Sequence, residues 1–121
     1  LKILNNMMLF ESAVAISEAK NIGERAGVDP KVLFATLTQG SADSFALRNH
    51  GMKAVLPGDF PERAFSVKYA QKDLHYALQL ADETGVDARG AKIVDEWFNK
   101  AIAQGDGEKY HPVISTLMAK S

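Results

Sequence analysis

Cysteine is absent from the 121 residues. That excludes a disulfide framework and any thiolate metal site, and it is the usage expected of a protein in the reducing cytoplasm. An excess of one charge is absent too: 14 Lys and Arg stand against 15 Asp and Glu, a net charge of −1. No block of like charges breaks that balance, so a polyanion such as nucleic acid is not an expected partner. No apolar run approaches the roughly 18 residues of a membrane span, and no membrane is expected. The first residues lack the basic start and small-residue cleavage site of a signal peptide. P-loop, GxSxG and GxGxxG patterns are missing. His50, His75 and His111 show no HxxxH or HxxE spacing, so no metal site is expected and each is read as a helix-surface or loop residue.

What is present is helical. Apolar residues from Ile3 to Ala26 predict one long helix over 1–27, its first half apolar on more than one face and therefore buried all round. Lys20 and Glu24 sit at i,i+4 spacing, and Gly27 is placed to end the helix. Asp29–Pro30 is a cap followed by a first-turn proline, opening a second helix that stops near Gly40. A third stretch covers Phe45–Leu56, before the loop PGDFPE at 57–62. A stripe of Val67, Ala70, Leu74, Ala77 and Ala81 predicts a helix from Phe65 to Thr84, closed by Gly85. Asp87 is placed to cap the next, 88–103, which carries Trp97 and Phe98, and Pro112 opens a short last helix over 112–119. No segment alternates as a strand does, and no 20–50-residue repeat occurs. The expected architecture is an all-α bundle of about six helices forming one domain.

Two places could carry chemistry. Lys2, Asn5 and Asn6 stand at i, i+3 and i+4, so three polar groups converge on one helix face. A lysine among apolar neighbours loses solvation, which makes its neutral amine accessible for proton transfer, and a carboxamide beside it can hold a substrate oxygen without adding charge. The other reading is a lysine snorkelling from a frayed end beside solvated asparagines. In FSVKYAQKDLHYA (65–77), Phe65 lies about two turns before Lys72 and Asp73. An aromatic, a cation and an anion so aligned could pack on a cofactor ring and hold its polar edge; an exposed ion pair and a core phenylalanine is the alternative.

Taken in order, KxxNN, the glutamate of SEAK, GVDP, FxxxxxxKDL and a helix ending near GDG resemble the C-terminal domain of the β-hydroxyacid dehydrogenase family. That family includes 3-hydroxyisobutyrate dehydrogenase and 2-hydroxy-3-oxopropionate reductase, and is distantly similar to 6-phosphogluconate dehydrogenase. The resemblance covers essentially all of residues 1–121. It implies an all-α catalytic and substrate domain like the C-terminal domain of 6-phosphogluconate dehydrogenase, separated here from an N-terminal Rossmann domain that holds NAD or NADP. It implies Lys2 as general acid/base, with Asn6 and, less directly, Asn5 orienting substrate. Lys72 would contact the dinucleotide, and Phe65 and Asp73 would line the cleft and place substrate. After the last glycine turn, Glu108-Lys109-Tyr110-His111-Pro112 departs from the acidic and small residues many relatives carry.

The function so implied is hydride transfer between nicotinamide and a small 3-hydroxy acid or its semialdehyde. An imine substrate is disfavoured, because related imine reductases usually replace the lysine. The isolated 121-residue piece is expected to be inactive, and a homodimer or homotetramer built through this domain is expected. The competing reading is a non-catalytic helical module for dimerisation or partner binding. Lys2 with Asn6 separates the two, since a purely structural module has no use for a desolvated lysine there.

Overall fold

A computed structural model describes residues 1–119. Four α-helices are present, α1 (Lys2–Arg25), α2 (Pro30–Leu37), α3 (Val67–Thr84) and α4 (Arg89–Ala103). A π-helical segment, Leu47–Val55, and a 3₁₀ segment, His111–Leu117, complete them. Among the described residues the only extended pairings are two isolated antiparallel bridges, Glu62 with Lys109 and Ser66 with Tyr110. The all-α class and the number of helical elements agree with the sequence reading.

The ends of these elements follow from local chemistry. Gly27 takes φ +90°, which lets Val28 N–H reach back to the Gly23 carbonyl at 2.9 Å and close α1. Asp29 accepts from Lys31 N–H at 2.9 Å with Pro30 in the first turn of α2. α3 begins two residues later than expected, because Ser66 caps it, its Oγ accepting from Tyr69 N–H at 3.1 Å. Asp87 does not cap α4. Its carboxylate pairs with Arg89 at 2.7 Å and Lys92 at 3.0 Å, two cations that outcompete a neutral N–H, and Ala88 stands at the cap position.

α1 is the spine of two apolar clusters. Phe10 and Val14 join Val67, Leu74, Val94, Phe98 and Ile114 in the larger one, between α1, α3, α4 and the 3₁₀ segment. Ile16 joins Phe34, Leu47 and Val55 in the smaller, between α1, α2 and the π segment. Gly51 is buried where these meet: a Cβ there would lie 3.3 Å from both Ile16 and Leu47. A Cβ at that point requires the Ile16 and Leu47 side chains to give by a few tenths of an ångström. The first half of α1 is not buried all round. Asn6, Phe10, Ala13, Val14 and Ser17 form its core face, while Leu4 and Met8 reach solvent, Met8 at 65%. Among the described residues no helix is long and apolar enough to cross a membrane.

Candidate active site

Asn6 extends the core face of α1 by one turn beyond Phe10, which is why a carboxamide is buried there. A buried amide needs partners. Asn6 Nδ2 donates to Asp73 Oδ2 on α3 at 2.9 Å, and Asn6 Oδ1 accepts from Asn5 Nδ2 at 3.3 Å. This pair clamps α1 to α3. Beside it opens a hollow of about 260 Å³, lined by Lys2, Asn6, Ala64, Phe65, Tyr69 and Asp73.

The wall opposite α1 is fixed by a strap. The first N–H groups of α3 have no partner within the helix. The 106–110 turn supplies carbonyls, with Val67 N–H bonding Lys109 at 2.9 Å and Lys68 N–H bonding Gly107 at 3.0 Å. Tyr110 N–H bonds Pro61 at 3.0 Å and His111 N–H bonds Phe65 at 2.8 Å. Between the two bridges Arg63 takes φ +68°, a left-handed turn that is costly for a residue with a Cβ. The bend it makes leads into Ala64 and Phe65, both on the hollow. The Phe65 ring is held edge-on by Phe10 at 5.5 Å, Tyr69 at 5.9 Å and His111 at 5.4 Å.

Residues 1–117 match the family described as NAD-binding of NADP-dependent 3-hydroxyisobutyrate dehydrogenase. The chain belongs to that family. It is 29% identical to the 2-hydroxy-3-oxopropionate reductase of Escherichia coli, over 93% of this chain and 38% of that one. Its fold superposes on the 3-hydroxyisobutyrate dehydrogenase of Salmonella typhimurium with a TM-score of 0.88 at 23% identity, covering 97% of this chain and 40% of the other. The Mycobacterium tuberculosis 3-hydroxyisobutyrate dehydrogenase, whose structure includes L-serine, superposes at a TM-score of 0.83 with 26% identity, over 98% and 42% of the two chains. The chain thus spans about two fifths of the length of these relatives.

Within this 3-hydroxyisobutyrate dehydrogenase fold, residues far apart in sequence meet as follows. Lys2, Asn6, Phe65 and Asp73 line one hollow. Asn5 is exposed and reaches the hollow only through Asn6. Lys72 is exposed and absent from the lining, because it stands one residue, about 100° of helix turn, from Asp73. Lys2 is itself exposed on this chain, so the apolar surroundings expected around its ammonium are not provided by these residues. Tyr69 was not among the sequence candidates, although it lies four residues before Asp73 and so on the same face. Ala64 carries no signal a sequence could give.

The histidine reading is corrected. His111 is 1% exposed, not on a surface, wedged among Phe10, Phe65, Phe98, Tyr110 and His50. Burial, with some help from the nearby His50, lowers its pKa to about 3, so the ring is neutral near pH 7. His50 Nδ1 pairs with the Tyr110 hydroxyl, and its burial also lowers its pKa. His75 lies in a surface pair with Asp95 at 2.8 Å. Among the described residues no three His, Asp or Glu side chains gather as a metal site requires.

Proposed function

We propose that this chain is the catalytic and substrate domain of an NAD(P)-dependent dehydrogenase or reductase acting on a small 3-hydroxy acid or its semialdehyde. The observation that carries the reading is the convergence of Lys2, Asn6, Phe65 and Asp73 on one hollow. An apolar wall of Ala64 and Phe65 faces a polar one of Lys2, Asn6 and Asp73, a composition that fits a nicotinamide ring laid against a small polar substrate. L-serine in the Mycobacterium tuberculosis relative, a carboxylic acid with a β-hydroxyl, is in keeping with this substrate class.

The dinucleotide, when bound, supplies or accepts the hydride. The chain's own residues then manage the proton and the geometry. In the oxidation direction Lys2 takes the proton of the substrate hydroxyl at its Nζ; in reduction it returns that proton to the carbonyl oxygen. Closure of the cleft by the dinucleotide-binding domain provides the dry surroundings that Lys2 lacks on this chain alone. Asn6 has one amide hydrogen and one lone pair beyond its bonds to Asp73 and Asn5, and these hold the reacting oxygen in line. Asp73 holds the Asn6 carboxamide in place through their hydrogen bond. Lys72, exposed and outside the lining of the hollow, is assigned to the dinucleotide rather than the substrate.

Exposed Leu4, Met8 and Val86 support association of this domain with another subunit as a homodimer or homotetramer. The reading is tested by following NADH and NADPH oxidation by the full-length protein with a panel of semialdehydes, and the reverse reaction with 3-hydroxy acids. Turnover of at least one pair is expected. No turnover in either direction with either nucleotide contradicts it.

A further inference from the structure

The apolar wall of the hollow has little hold of its own. Ala64 and Phe65 stand in a stretch without helix. Among the described residues the backbone of 60–65 makes two hydrogen bonds, Pro61 accepting from Tyr110 N–H at 3.0 Å and Phe65 accepting from His111 N–H at 2.8 Å. The wall therefore stands where Tyr110 and His111 put it.

Those two residues are held from two sides. The strap is bonded to the first turn of α3 through the Lys109 and Gly107 carbonyls. On the π segment, 60 positions back along the chain, His50 Nδ1 pairs with the Tyr110 hydroxyl. Among the described residues this is the one hydrogen bond that joins the strap to that segment. His50 has no substitute for it. Its Nε2 is buried without a partner, as is Nδ1 of His111, whose ring lies edge-on to His50 at 5.0 Å. Without the Tyr110 hydroxyl both ring nitrogens of His50 would be left unpaired, so the pair resists separation.

We infer that His50 and Tyr110 are positioning residues for the hollow: their hydrogen bond, acting through the Tyr110 and His111 N–H groups, sets where Ala64 and Phe65 stand against Asn6 and Asp73. This rests on the proposed dehydrogenase reading, in which that wall takes the nicotinamide ring. Neither side chain lines the hollow, so neither contacts the substrate there. What they supply is the distance and angle between hydride donor and acceptor, on which the chemical step depends steeply. Their loss is read in kcat rather than in KM.

The experiment uses the full-length protein on its best substrate, with the primary deuterium isotope effect from deuterated NADH or NADPH. Tyr110→Phe removes only the hydroxyl. His50→Gln places its amide where Nε2 stands and loses the tie, whereas His50→Asn places it where Nδ1 stands and retains it. Tyr110→Phe and His50→Gln are each expected to lower kcat about tenfold and to raise the isotope effect on kcat, with the organic substrate's KM within about twofold. His50→Asn is expected to restore most of the loss, and the double variant Tyr110→Phe with His50→Gln to cost no more than either alone. A lower melting temperature with unchanged kcat and isotope effect would make the pair structural only and overturn the inference. Additive losses, or His50→Asn falling as far as His50→Gln, overturn it too, and each of these results leaves the dehydrogenase reading intact. Failure of the unsubstituted protein to turn over any substrate overturns the inference together with the reading beneath it.

Discussion

Asn6 on the first helix donates to Asp73 on the third across 67 positions of sequence, at 2.9 Å, and the two side chains are both wall and clamp of the same hollow. Fold and site thus share a contact. Asp73 has a second carboxylate oxygen for the hollow, but its first is committed to holding α1 in register.

That sharing makes the pair measurable. A double-mutant cycle of Asn6→Ala and Asp73→Ala, read by urea unfolding, is expected to give a coupling of about 1 to 2 kcal/mol, the range for a hydrogen bond to a charged acceptor that is partly solvated. Additive effects would show that the two residues are adjacent without being joined.

His111 predicts an acid-labile fold. Its folded pKa, about 3, lies below the ordinary histidine value of 6.5, so the unfolded chain binds a proton that the folded chain refuses. The stability it contributes is complete above about pH 6.5 and is lost as pH falls towards 3, with a slope of up to about 1.4 kcal/mol per pH unit. His50, also lowered by burial, acts in the same direction. Urea midpoints taken at pH 7 and pH 5 should fall together with pH, and His111→Phe should flatten that fall. A midpoint unchanged between the two pH values would contradict the buried neutral ring.

Phe98 is fully buried in the larger cluster, packed edge-on to Phe10 at 5.7 Å. Phe98→Ala is expected to destabilise by about 3 to 5 kcal/mol, since little around a ring so enclosed can collapse into the space. Differential scanning calorimetry or urea unfolding reads this directly, and a loss under about 1 kcal/mol would mean the cluster repacks.

Lys72 separates cofactor from substrate. With Lys72 contacting the dinucleotide, Lys72→Met raises the KM for NADH or NADPH about tenfold or more while the KM for the acid or semialdehyde changes little. A rise confined to the organic substrate would move Lys72 into the substrate site.

How far the sequence carries this picture differs between its parts. Helix ends with local punctuation, such as the close of α3 at Gly85 or the start of α2 behind Asp29–Pro30, are legible because cap and glycine act within four residues, whereas the Ser66 cap moves the start of α3 two residues past the expected Phe65. The extent of α4 is legible to within a residue, but the capping role expected of Asp87 is not met, because two nearby cations claim its carboxylate, a competition decided by side-chain reach. The π geometry of 47–55 is announced by no local pattern. Lys2, Asn6, Phe65 and Asp73 share one hollow, and the sequence names them by the order of their motifs along the chain. Tyr69 carries only its four-residue spacing from Asp73 as a signal. His111 could not be found at all, since its burial is set by Phe10, Phe65 and Phe98, each from a different part of the chain.

The proton transfer proposed for Lys2 is open to direct measurement. The full-length protein and its Lys2→Met variant should be compared by NAD(P)H absorbance on the substrate with the highest turnover, with dinucleotide affinity measured separately by fluorescence. A kcat lower by about two to four orders of magnitude is expected, with dinucleotide binding unchanged. A kcat within a fewfold of the unsubstituted protein would remove Lys2 from the chemistry and contradict the account.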